Sequence, residues 1–135
     1  MAKNLFISHS WTYSDTYDGL VKLLNAGGFD FKNYSVPKND PIHNASNDRE
    51  LYEAIKKQIS PSSVVIILAG VYASYSKWIN HEIDIAKNGF ATVKPILAIE
   101  PFGSERTSKV VKDAADLIVK WNTNSIISGI EKLTK

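Results

Sequence analysis

The chain has 135 residues and a formal net charge of +2, with 44% hydrophobic and 22% charged residues and no cysteine. That length suffices for one domain with its own core, and the balance excludes disordered, collagen-like and coiled-coil chains. The small charge, spread over intermixed acidic and basic residues, argues against a nucleic-acid partner, and the missing thiols exclude disulfide scaffolds, cysteine nucleophiles and cysteine metal sites.

The first apolar run, Leu5-Phe6-Ile7, is far shorter than a signal-peptide core and predicts a buried strand. Tyr17, Leu20, Val21 and Leu24 then fall at i, i+3, i+4 and i+7, which predicts an amphipathic helix stopped by Gly27-Gly28. A weaker strand is predicted over 29–31. Residues 34–46 follow, with Pro37, Asn39, Pro41 and Asn44, and make a connection much longer than the usual 2 to 6 or so residues. They predict a loop that covers a site.

Leu51, Ile55 and Ile59 form the stripe of a second helix, with Asn47 and Glu50 as a capping box and Ser60-Pro61 as its close. Residues 63–69 predict the most apolar strand, too short to span a bilayer. A third helix is predicted from about 75 to 87, with Ile79, Ile83 and Ala86 inward and Asn88-Gly89 at its end. A strand over 93–99 follows. The polar stretch 103–113 predicts no more than a short helix, 117–121 a last strand, and 124–133 a helix with Ile126, Ile127, Ile130 and Leu133 on one face.

Strands this apolar need cover on both faces, and strand-helix alternation calls for right-handed crossovers. The expected fold is therefore α/β: one domain over 1–135, a flavodoxin-like three-layer sandwich with a five-stranded parallel sheet of order 2-1-3-4-5. Neither a membrane nor a nucleic acid is expected as partner, and the expected location is cytoplasmic.

In this architecture ligands meet the carboxyl ends of the strands where strands one and three diverge, here Ser8-His9-Ser10-Trp11 and Gly70-Val71-Tyr72. Close by, Trp78 and Glu82 stand four residues apart and share a helix face, which the spacing sets apart from the Ile79 and Ile83 stripe. A carboxylate beside a large aromatic suits a cationic transition state and a stacked ring. The bland alternative is a half-buried aromatic with a solvated neighbour. Three scattered histidines give no metal site, and His81 reads as a surface or supporting residue. The Gly-x-Ser-x-Gly elbow of serine hydrolases is absent. Lys56, Lys57, Lys109, Lys112, Lys120, Lys132 and Lys135 are spread along the chain and read as groups that keep element ends solvated.

The stretch Asn4-Leu5-Phe6-Ile7-Ser8-His9-Ser10 resembles the first strand of TIR domains, and Tyr72-Ala73-Ser74-Tyr75-Ser76-Lys77-Trp78 with Glu82 resembles their Ser-x-Trp-x-x-x-Glu motif. The opening is most similar to the bacterial TIR-like proteins of the Thoeris anti-phage system. That resemblance implies an NAD-cleaving enzyme, a glycohydrolase or cyclase, that releases nicotinamide and a cyclic or linear ADP-ribose signal read by a downstream effector. It implies Glu82 as the catalytic residue, with Trp78 and Tyr75 at the substrate. Phe6, Ser8 and Ser10 join them from their place at the end of strand one. NAD is then a substrate, and neither a cofactor nor a metal is called for. Residues 34–46 correspond to the family's BB loop and imply self-association. Two departures stand out: Ser8 to Ser10 stand where the family carries an acidic residue close after strand one, and the loop is mostly neutral. The alternatives are a non-catalytic TIR module that signals by assembly and an enzyme like the nucleoside deoxyribosyltransferases. A response-regulator receiver is disfavoured by Gly70 at the end of strand three.

Overall fold

The computed structural model describes residues 3–8, 15–34, 48–68, 77–100 and 109–134. Strands and helices alternate along the chain as β1 (Lys3–Ile7), α1 (Asp15–Ala26), β2 (Phe31–Asn33), α2 (Asp48–Ile59), β3 (Val64–Leu68), α3 (Lys77–Asn88), β4 (Ile96–Ile99), α4 (Lys109–Ala114), β5 (Leu117–Val119) and α5 (Thr123–Leu133). The five strands pair in parallel in the order β2-β1-β3-β4-β5, as the periodicity predicts. The chain folds as a flavodoxin-like α/β sandwich.

Strand alternation sorts the core into two halves. Leu5, Ile7, Val64, Ile66, Leu97 and Ile99 point to one face and pack against Leu20 and Leu24 of α1 and Ile126 and Ile130 of α5. Phe6, Val65, Ile67, Ile96 and Ala98 point to the other, against Leu51, Ile55 and Ile59 of α2, Ile79, Ile85 and Ala86 of α3, and Val111 of α4. Helices on both faces explain why β3 reads Val-Val-Ile-Ile-Leu without polar alternation. Among the described residues, no helix is long and apolar enough to cross a membrane.

Four expectations shift in detail. The second strand begins at Phe31 rather than Phe29, because Phe29 belongs to the end of α1. Its amide donates to Leu24 O and that of Gly28 to Asn25 O, both at 3.0 Å, and Gly28 takes φ 69°. This is a Schellman stop, in which an apolar residue follows the left-handed glycine. The fourth strand starts at Ile96, not 93: Val93 is 56% exposed, and Pro95, with no amide to give, only accepts from Val65 N. The last strand ends at Val119, because Asn122 caps α5 by accepting from Ser125 N at 2.8 Å. In α3 it is Ile85 that is fully buried, and Ile83 only partly. The short helix expected in 103–113 is α4, held by Val111. The cap proposed for Asn47 lies outside the described residues.

Candidate functional site

The site begins with the parity of β1. Ile7 faces α1 and α5, so Phe6 and Ser8 face α2 and α3. The amide of Ser8 donates to Ile66 O at 2.8 Å, which carries the β1–β3 ladder one residue past the strand and fixes where the side chain points.

From the other side comes α3. Ile79, Glu82 and Ala86 stand at i, i+3 and i+7, one face of the helix, and all three have no exposed surface. Glu82 therefore lies within the inward stripe, not on the separate face expected for it. The strand end and the helix bring two polar side chains together inside the apolar layer: Ser8 Oγ donates to Glu82 Oε1 at 2.7 Å, across 74 residues of sequence. Both residues are wholly buried. The distance is that of a hydroxyl bonded to a carboxylate, about 2.5–2.7 Å.

Burying a carboxylate where an isoleucine would pack is costly unless hydrogen bonds meet it. Ser62, the other buried polar residue among those described, has a simpler role, since its hydroxyl donates to Ile59 O at 2.6 Å and closes α2. The Ser8–Glu82 pair closes no helix. It places an oxygen acid at the carboxyl end of β1, where strands one and three diverge and ligands bind in this architecture.

The structure brings Ser8 and Glu82 together and puts Phe6 below them on the same face, wholly inside the core. Trp78 sits in α3 one turn before Glu82. Its side chain, Ser10, Tyr75 and the loop after Tyr34 lie outside the described residues. His81 is half-buried, its ring edge-on to Tyr52 at 6.1 Å, and its buried Nε2 has no hydrogen-bond partner among the described residues. No group of three or more potential metal ligands is found among the described residues. Sequence reasoning missed that Ser8 serves Glu82. The signal was present in the parity of Phe6 and Ser8 together with the 79, 82, 86 spacing.

At the same edge of the sheet stands Glu100, just past β4. Lys120 Nζ is 3.0 Å and Lys112 Nζ 3.7 Å from its carboxylate oxygens. The hydrogen bond from Lys120, with both ammonium charges, holds the Glu100 carboxyl below its ordinary range against the opposing pull of burial. These two lysines do not merely solvate element ends, as the sequence suggested. They converge on one acid. At the opposite end of the sheet, Glu53, Lys56, Lys57, Ser60, Pro61 and Phe90 line an open depression of about 420 Å³. Lys94 closes its rim by donating to Ser60 O at 3.0 Å and Ser62 O at 2.8 Å. That depression borders the amino ends of β3 and β4, away from Glu82.

No match to the chain is found among curated proteins. Residues 6–106 match a family described as the TIR-like domain of Thoeris protein ThsB. The matched span starts in β1, runs through Ser8 and Glu82 and ends beyond β4, so it holds both halves of the buried pair and most of the sheet. The chain belongs to the family of TIR-like domains of the Thoeris protein ThsB.

Proposed function

We propose that the chain cleaves NAD between nicotinamide and ribose, with Glu82 as the catalytic carboxylate. The observation that carries this reading is the buried Glu82 held by the Ser8 hydroxyl at the carboxyl end of β1, in a chain of the TIR-like Thoeris family.

The chemistry asks little of the protein. The nicotinamide ring of NAD is positively charged, so when the C–N bond breaks its electron pair returns to the ring and the leaving group departs neutral. No general acid is needed. The ribose is left as an oxocarbenium ion, and one carboxylate at its face offsets the developing charge while accepting hydrogen bonds from the ribose hydroxyls, by the logic of glycosidase sites. Water attack gives linear ADP-ribose and a proton. Attack by a nucleophile of the same molecule gives a cyclic product and a proton, and exclusion of water favours it. Membership of a defence-signalling family supports a cyclic product that a separate effector reads.

Glu82 has no exposed surface in the single chain, so this reading requires a movement that opens it to NAD. Self-association through residues 34–46 would supply that movement. Pro37 and Pro41 restrict the loop's conformers and lower the entropy lost on docking. The working location is the cytoplasm, where NAD is abundant.

The test is nicotinamide release and product mass from NAD, followed against protein concentration for wild type and Glu82→Gln. We expect turnover that rises with concentration and falls by roughly 10²- to 10³-fold in the variant. Absence of nicotinamide at high protein concentration, with activators of related systems added, rejects the enzyme. In that case function surviving Glu82→Gln but lost in Pro41→Ala would favour signalling by assembly.

A further inference from the structure

We propose that Ser8 is the positioning residue of the catalytic carboxylate and not a substrate contact: its hydroxyl fixes one oxygen of Glu82, so that the acid meets the ribosyl cation already oriented. The inference rests on the NAD-cleaving reading of the site. It concerns how that site is built.

Three observations carry it. The Ser8 side chain is wholly buried and its hydroxyl already points at Glu82 Oε1, at 2.7 Å. Its backbone cannot drift, because its amide is tied to Ile66 O at 2.8 Å on the neighbouring strand, with Ile7 and Ile66 paired directly before it. The helix that carries Glu82 is fixed as well, because Ile79 and Ala86 are packed into the core one turn before and one turn after it on the same helix face. The hydroxyl thus joins a fixed strand end to a fixed helix. It acts on the one acid between them. A carboxylate held in one rotamer needs no reorganisation as the cation develops, and this is where preorganised groups gain most of their effect.

A substrate contact and a positioning bond differ in kinetics. Loss of a contact made equally in ground and transition states raises KM, whereas loss of orientation lowers kcat. The experiment compares wild type, Ser8→Ala and Ser8→Thr for NAD cleavage. It adds urea unfolding of wild type, Ser8→Ala, Glu82→Ala and the double variant. We expect Ser8→Ala to lower kcat by about 10- to 100-fold, the range of a hydrogen bond to a charged group, with KM within about twofold. Ser8→Thr, which keeps a hydroxyl, should recover several-fold of that loss. In unfolding, Ser8→Ala should lower the midpoint more in the wild-type background than in Glu82→Ala, because the bond between the two side chains is already lost there.

Three outcomes overturn the proposal: an increased KM at constant kcat, which makes Ser8 a substrate contact; a Ser8→Thr variant as stable as Ser8→Ala yet no more active; or equal midpoint shifts in the two backgrounds. A wild type that releases no nicotinamide overturns the enzymatic reading instead, and the unfolding cycle still reports whether Ser8 and Glu82 are coupled.

Discussion

Two glutamates stand at the carboxyl edge of the sheet and are treated in opposite ways. Glu100 keeps part of its surface in water and draws in two ammonium groups, those of Lys120 and Lys112. Glu82 is buried without exposed surface and receives a neutral hydroxyl. Glu100 is what a carboxylate looks like when stability and solubility set its surroundings: partly exposed, matched by opposite charge, weakly stabilising. Glu82 sits in a stripe where Ile79 and Ile85 show which residue type packs well. An acid kept in such a place lowers stability, and natural proteins retain such costs where function requires them.

The largest effect that could break this contrast is on activity. Glu82→Gln should lower NAD turnover by roughly 10²- to 10³-fold, the scale of losing a main electrostatic group at a reacting centre, whereas Glu100→Gln should leave turnover within about twofold. Equal losses would mean that the two acids share one site. Next comes the stripe itself. Ile85→Ala should destabilise by about 2–5 kcal/mol in chemical denaturation, because Ile85 is wholly buried in the α2/α3 half of the core. A smaller change has the opposite sign: Glu82→Gln keeps an acceptor for Ser8 and replaces a buried acid by a neutral amide, so we expect stability to rise by about 0.5–2 kcal/mol while activity falls. A loss of stability there would mean that the carboxyl of Glu82 is itself structural.

The smallest effects belong to Glu100. Glu100→Gln should cost less than about 1 kcal/mol, and added salt should shrink the difference from wild type. Its pH dependence has a fixed sign. The folded pKa of Glu100 is lowered, chiefly by the Lys120 hydrogen bond, so its contribution is fully present above the unfolded glutamate value of about 4.3 and is lost as pH falls through the folded value below it. Unfolding midpoints of wild type and Glu100→Gln should differ by a constant amount from neutral pH to about pH 5 and converge in stronger acid.

Much of this molecule can be read without coordinates, and the differences have local causes. The strand order follows from apolar runs alternating with helical stripes, because parallel sheets need cover on both faces. The boundaries that moved did so where one apolar residue could serve two purposes. Phe29 looks like a strand residue and is the apolar follower of a helix stop, and Val93 looks like part of β4 but precedes a proline that cannot donate to the ladder. Glu82 was legible as the candidate acid from its spacing to Trp78 and from family resemblance. Its burial was not, because a charged residue in a helical pattern is assigned to the solvent face by default. Only the end of β1, far away in sequence, shows what that face meets. The Ser8–Glu82 pairing is a contact across 74 residues: the parity of β1 and the 79, 82, 86 spacing turn each partner inward, and only the packing of α3 on the sheet brings the two together.

The rung from the Ser8 amide to Ile66 O also bears on how the domain opens. It lies between β1 and β3, inner strands flanked by β2 and β4, while the three-residue strands β2 and β5 form the rims of the sheet. Local fraying starts at such rims, and amides between inner strands exchange with solvent only when the whole domain opens. The anchor of the carboxylate is thus built into the last cooperative unit to melt. In deuterium exchange the Ser8 amide should be among the slowest, so partial opening at the rims would leave the Ser8–Glu82 bond in place.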